Sequence, residues 1–128
     1  MIQIPVSPGE LIDKITILKL KKKFIKDQVQ LKNVTIELAF LEPLLTKYKL
    51  NTLETNSLFE ELYKINNNLW KIEDDIREKE RDSDFGIDFV ELARSVYFTN
   101  DKRSNIKKKI NLLSGSKIIE EKSYEDYW

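Results

Sequence analysis

The chain predicts an all-α protein, a four-helix antiparallel bundle with an extended N-terminal segment and an ordered C-terminal tail. Three features carry that reading. Apolar residues recur at spacings of three and four through most of the sequence, the period of one helix face. A helix-start signature stands at Ser7-Pro8-Gly9-Glu10, with a hydroxyl N-cap, proline at the first position and a carboxylate at the third, a capping box. Polar stretches at Asn51 to Ser57, Asp82 to Gly86 and Ser114 to Ser116 separate the periodic segments.

Taken in order, Met1 to Val6 alternates Ile2, Ile4 and Val6 with Gln3 and Pro5, an extended lead over residues 1–7 and a candidate edge strand. The first helix, about residues 8–26, is apolar on two sides: Leu11, Ile15, Leu18 and Ile25 on one, Ile17, Leu20 and Phe24 on another. Such a helix is central to its bundle or shared with a second subunit. The second, about 28–49, reads Leu31, Val34, Leu38, Leu41, Leu45 and Tyr48, and Pro43 within it predicts a kink or break around residues 39–43. The third, about 57–81, has the most regular seam, Leu58, Leu62, Ile65, Leu69, Ile72 and Ile76. The fourth, about 88–113, ends at Ser114-Gly115-Ser116. The tail, residues 114–128, holds Ile118, Ile119, Tyr124, Tyr127 and Trp128. It is too apolar to float free and is expected to fold back on the body, beside the Ile2-Ile4-Val6 segment. All 128 residues fit one helical domain with its own core.

Composition narrows the chemistry. Cysteine and histidine are both absent. That excludes disulfides, thiolate catalysis, the usual general base and nearly all transition-metal sites, leaving carboxylates, Lys, Tyr and Arg. No metal or cofactor is expected. Lys plus Arg equals Asp plus Glu at 22 each, so no overall field favours nucleic acid or an acidic membrane. No stretch approaches the roughly 18 apolar residues of a membrane helix, and the first 30 residues hold too many charges for a signal peptide's apolar core. A soluble, cytoplasmic protein is expected. Only four cations are arginine, at 77, 81, 94 and 103, which favours them for places that need a planar, bidentate donor.

The leading functional signal is Thr99-Asn100-Asp101-Lys102-Arg103, which interrupts the fourth helix's apolar seam. Leu92 and Val96 share a face with Thr99 and Arg103, and the seam resumes at Ile106, Ile110 and Leu113. Arg103 is therefore expected among apolar neighbours, in need of a partner. Asp13, on the side of the first helix that shows Ile17, Leu20 and Phe24, is either salt-bridged to Arg94 or Arg103 or a catalytic carboxylate. Trp70, Glu73 and Arg77 share one face of the third helix. Glu73 and Arg77 have the spacing of a surface ion pair, and the Mg2+ site that the Glu73-Asp74-Asp75 run could suggest would need a second acidic helix. Arg94 and Asp101, seven apart, could form a layer with Glu73 or Arg77, while Lys107, Lys108 and Lys109 read as a solvated face.

The runs Gly9 to Leu18, Leu69 to Arg77, Glu91 to Tyr97, Asn100 to Arg103 and Glu120 to Tyr124 together resemble an uncharacterised small bacterial and phage family, a domain of unknown function. The resemblance covers nearly the whole chain. It implies relatives that occur alone or attached to glycosyltransferase-type and tetratricopeptide proteins, and it carries no activity with it. The functional expectation is a small binding or assembly module, homodimeric through its two-sided first helix and aromatic tail. Its patch of Asp13, Trp70, Glu73, Arg77, Arg94, Asn100, Asp101 and Arg103 would hold an anionic small molecule or a protein partner's charged group. The alternative is a histidine-free, metal-independent enzyme in which Arg77, Arg94 and Arg103 converge to clamp a carboxylate or phosphate and Glu73 or Asp101 moves protons. A third reading leaves the same residues as a structural network with no ligand.

Overall fold

The computed structural model describes residues 1–127, so the predicted tail residue Trp128 lies outside the described residues. Five helices follow one another: α1 Pro8–Phe24, α2 Gln28–Leu41, α3 Pro43–Lys47, α4 Leu53–Arg81 and α5 Ile87–Leu113. Four are long and α3 is a single short piece, and there is no strand among the described residues. The lead before Ser7 is an open, exposed segment in place of the candidate edge strand, having no strand beside it to pair with.

The opening of α1 follows its sequence with one change. Ser7 Oγ accepts the Glu10 N–H at 3.2 Å and Pro8 sits in the first turn. The predicted capping box is only half formed, because the Glu10 carboxylate accepts a 2.7 Å bond from Lys107 Nζ instead. A charge-assisted bond to an ammonium outcompetes one to a backbone N–H. From there α1 runs through the middle of the molecule, packed against α2, α4 and α5, while α4 also packs along α5. That central position accounts for its two apolar sides. Leu11, Ile12, Ile15 and Leu18 join Val34 and Leu38 of α2, Leu62 of α4, Ile106 and Ile110 of α5 and the loop residue Leu50 in one buried cluster.

Pro43 ends α2 as expected: the helix stops at Leu41 and α3 restarts at the proline. Lys49 then takes φ +56° and Leu50 returns its N–H to the Leu45 carbonyl at 2.7 Å, folding Leu50 into the core. α4 begins earlier than the expected residue 57. Thr52 and Thr55 cap each other's backbone N–H groups, so the stretch that reads as a polar linker is a helix start.

The five-residue turn at 82–86 sends α5 back along α4, and α5 also runs opposite to α1, as the contact pairs Gly9–Asn111, Glu10–Lys107 and Asp13–Arg103 show. Thr99, Ile106 and Ile110 are buried, but Leu113, expected in the seam, is half exposed in the last turn. No helix among the described residues is long and apolar enough to cross a membrane.

The tail turns at Gly115, whose φ of +68° suits glycine, and returns along α5. Glu120 accepts from Lys107 at 2.8 Å, and Asp101 accepts from Lys122 at 3.2 Å and from the Tyr127 hydroxyl at 2.6 Å. The Tyr127 ring lies about 5 Å from the Tyr97 and Phe98 rings, centroid to centroid. It leaves the lead uncovered: Ile2 and Ile4 remain 90% and 71% exposed, because the carboxylates and ammonium groups that match the tail are on α5.

This latch is set by charge. The Tyr127 hydroxyl and then Lys122 hold Asp101 below the usual carboxylate range, and Asp101 raises Tyr127 above the usual phenol range. Asp101 therefore contributes above its unfolded value and is lost as pH falls through its lowered one; Tyr127 contributes below its unfolded value and is lost as pH rises through its raised one. The Tyr127 ring-proton NMR shifts are expected to hold steady between about pH 5 and 9 and to move outside that range. A shift that stayed constant to about pH 2 would mean that Asp101 does not hold the tail.

Candidate functional site

A ladder of polar groups joins α1 to α5. At its first rung the Gly9 N–H donates to Asn111 Oδ1 at 2.7 Å. At the second, Lys107, nearly buried, donates to Glu10 and Glu120 and lies 4.0 Å from Asp13. Burial pushes its ammonium down, but Glu10, Glu120 and Asp13 outweigh that and hold it above its ordinary value. At the third, Arg103 meets Asp13 side-on: Nε donates to Oδ1 at 2.9 Å and Nη2 donates to Oδ2. The Asp13 bond, the largest influence, raises the Arg103 guanidinium further.

Asp13 is 1% exposed, and α4 completes its shell. Asn66 Nδ2 donates to Asp13 Oδ1 at 2.9 Å and to Thr16 Oγ1 at 2.8 Å, and Thr16 in turn donates to the Asp13 carbonyl at 2.7 Å. A carboxylate only accepts, so the Asn66 amide nitrogen must face it and Oδ1 must face away. That oxygen accepts no hydrogen bond from any described residue. Nor is it sealed, since among the described residues the one fully buried side-chain polar atom without a partner is Asn67 Oδ1.

Asn66 lines a cleft of about 450 Å³ beside the ion pair. Ile17 of α1 and Leu69 of α4 supply its apolar surface with the fully buried Leu20 at its border, Asn66, Trp70, Glu73 and Asp74 line the α4 side, and Asn100 and Arg103 the α5 side. Phe24 stacks on Trp70 with centroids 5.2 Å apart, bracing the indole from α1. The volume falls in the range of small-molecule sites. A second hollow of about 470 Å³ near the α4–α5 turn is lined by Asp75, Glu78, Asp82, Asp88 and Glu91, with Lys79 pairing Asp84 at 3.1 Å. Among the described residues no group of three or more carboxylates is close enough to hold a metal ion.

The sequence-expected residues divide. Asp13, Trp70, Glu73, Asn100 and Arg103 come together at the cleft and the ion pair behind it. Of the two partners expected for Asp13, the structure selects Arg103. At about 100° per residue, Arg94 and Asp101 lie about 180° and 160° around α5 from Arg103, and cannot reach the cleft. Arg94 pairs with Glu91 on its own helix at 3.1 Å and lies over the Phe98 ring, and Asp101 serves the tail. Arg77 shares the Glu73 stripe but sits a turn beyond the cleft, paired to Glu73 at 3.3 Å in the exposed ion pair its spacing suggests. The three arginines do not converge, and the Arg94–Asp101 layer with Glu73 or Arg77 does not form. Lys107, expected on a solvated face with Lys108 and Lys109, is buried because two carboxylates from different segments enclose it.

Asn66, Lys107, Asn111 and Gly9 have no site role in the sequence reading. A signal existed: Thr99, Arg103, Lys107 and Asn111 recur every four residues, a polar stripe beside the Ile106–Ile110 seam, and Leu62, Asn66 and Trp70 repeat the spacing on α4. Neither the curated proteins nor the solved structures offer a match to the chain. Residues 2–127, which hold the whole ladder and every lining residue of the cleft, match one family, and the chain belongs to it: DUF6165, a family of unknown function.

Proposed function

We propose that this protein is a small helical binding and assembly module whose site is the cleft between α1, α4 and α5. The observation that carries the reading is Asn66. It is buried to 5% exposure and fixed by Asp13 and Thr16, yet it keeps an unpartnered acceptor on a cleft of ligand size. Arg103 is held in place the same way, with two donors committed to Asp13 and others unspent. Groups fixed before binding lose little freedom on binding.

The test is a titration followed through the Asn66 and Asn100 side-chain amide signals, using small molecules with an apolar body and an anionic, cationic or neutral head. Binding should move both signals, and Ile17→Trp, at a partly exposed lining position, should abolish the movement. If no head group moves either signal at millimolar concentration, the cleft is not a binding site.

Assembly has its own support. Val29, Ile36 and Phe40 form an exposed stripe on α2 opposite the buried Val34 and Leu38, and Ile2, Ile4 and Val6 are exposed as well. A twofold dimer covering these surfaces is expected, and the implied attachment of relatives to larger proteins suits the same role. Sedimentation should give about twice the 15.2 kDa chain mass, and Ile36→Glu with Phe40→Glu should return it to one. A wild-type protein that sediments as a single chain at high micromolar concentration would sink the dimer.

A further inference from the structure

The cleft's occupant can be narrowed by its charge, on the understanding that the cleft is a binding site at all. Arg103 is its sole lining cation, and that charge is already met by Asp13, which is buried behind it in a bidentate pair. The anions are not met in the same way. Among the described residues Asp74 makes no ion pair or hydrogen bond, and Glu73 has only the exposed Arg77 at 3.3 Å. The unspent acceptor of Asn66 adds a third group that asks for a donor. An incoming phosphate or carboxylate would find its one cation neutralised and two carboxylates nearby, so the balance opposes the anion that the sequence suggests.

We infer that the cleft takes a protonated primary amine carried on an apolar stem. The ammonium is a compact donor of three hydrogen bonds, matched by the neighbouring carboxylates Glu73 and Asp74, while Asn66 lies about two turns back along α4. The stem would lie on Ile17 and Leu69 against the braced Trp70, whose ring face also attracts a cation. The same chemistry arrives as a free arylalkylamine or as a lysine side chain presented by a partner.

The experiment uses phenethylammonium, a lysine blocked at both backbone ends, and phenylacetate, each titrated into the full chain while the Asn66, Asn100 and Trp70 indole NMR signals are followed. The indole is assigned with Trp128→Phe. One or both amines should move all three signals with saturation, phenethylammonium alone indicating a free aromatic amine and blocked lysine a partner side chain. Glu73→Gln and Asp74→Asn should each weaken binding by about fivefold, and added salt should weaken it further. Both residues are at the surface, and the helical circular dichroism of each variant confirms its fold. Phenylacetate moving these signals while the amines do not would overturn the cationic class and leave the cleft a binding site. Silence from all three probes would overturn both. Amine binding unaffected by either substitution would place the amine elsewhere and overturn the inference.

Discussion

Arg103→Met is expected to lower the unfolding free energy by about 3–5 kcal/mol, with no relief from added phosphate. Asp13 is 1% exposed and takes two bonds from that guanidinium; methionine would fill its stem space and leave the carboxylate facing apolar side chains, with Asn66 its remaining side-chain donor and Lys107 4.0 Å away. The cost therefore comes from stranding a charge and not from losing an attraction. A second variant separates the two. With Asp13→Leu added, no charge is stranded, and the double variant should recover most of the loss, as buried pairs replaced by apolar residues often do. Urea titrations of the wild type and the three variants, with and without phosphate, check this. An Arg103→Met protein as stable as wild type would show that Asp13 finds its charge balance elsewhere.

The second large effect is expected at Gly9. A Cβ built there would meet the Lys107 carbonyl oxygen at 2.5 Å and Asn111 Oδ1 at 2.8 Å, distances that real side chains do not tolerate. The carbonyl belongs to the backbone of α5 and cannot turn aside as a flexible side chain would. Gly9→Ala must push α1 from α5 at the place where the Gly9 N–H bonds Asn111, lengthening a buried 2.7 Å bond as well as adding strain. The cost should be about 1–3 kcal/mol, against the small gain that alanine brings to an open helix position. Asn111→Ala removes one of the two obstacles and the bond together, so Gly9→Ala should cost less in that background. Equal costs in both would mean that the carbonyl alone sets the spacing.

Legibility in the sequence followed the range of each interaction. The seam of α4, the break at Pro43, the Ser7 cap and the end at Gly115 are each decided within about one turn of chain, and all are readable locally. The helix start at Thr52 was local too, but it uses two threonines where a carboxylate is the familiar partner, so it read as a linker. At the site, the need of Arg103 for a counter-ion was legible from its apolar neighbours, and Asp13 was one of few candidates. The choice between Arg94 and Arg103 required the helix rotation. Asn66 and Lys107 were hidden because their roles are fixed by groups 13 to 97 residues away: an asparagine among three and a lysine among three show nothing local.

The same long separations govern when the protein can come into being. Asp13 leaves the ribosome 90 residues ahead of Arg103, and Gly9 leaves 102 ahead of Asn111. Until α5 has been made, α1 carries a carboxylate on a face that it must later bury. Burying that face early would cost several kcal/mol, so the nascent chain gains nothing by closing before α5 appears. A chain cut short within or before α5 should therefore stay more open, and be more readily cut by proteases, than one that includes α5.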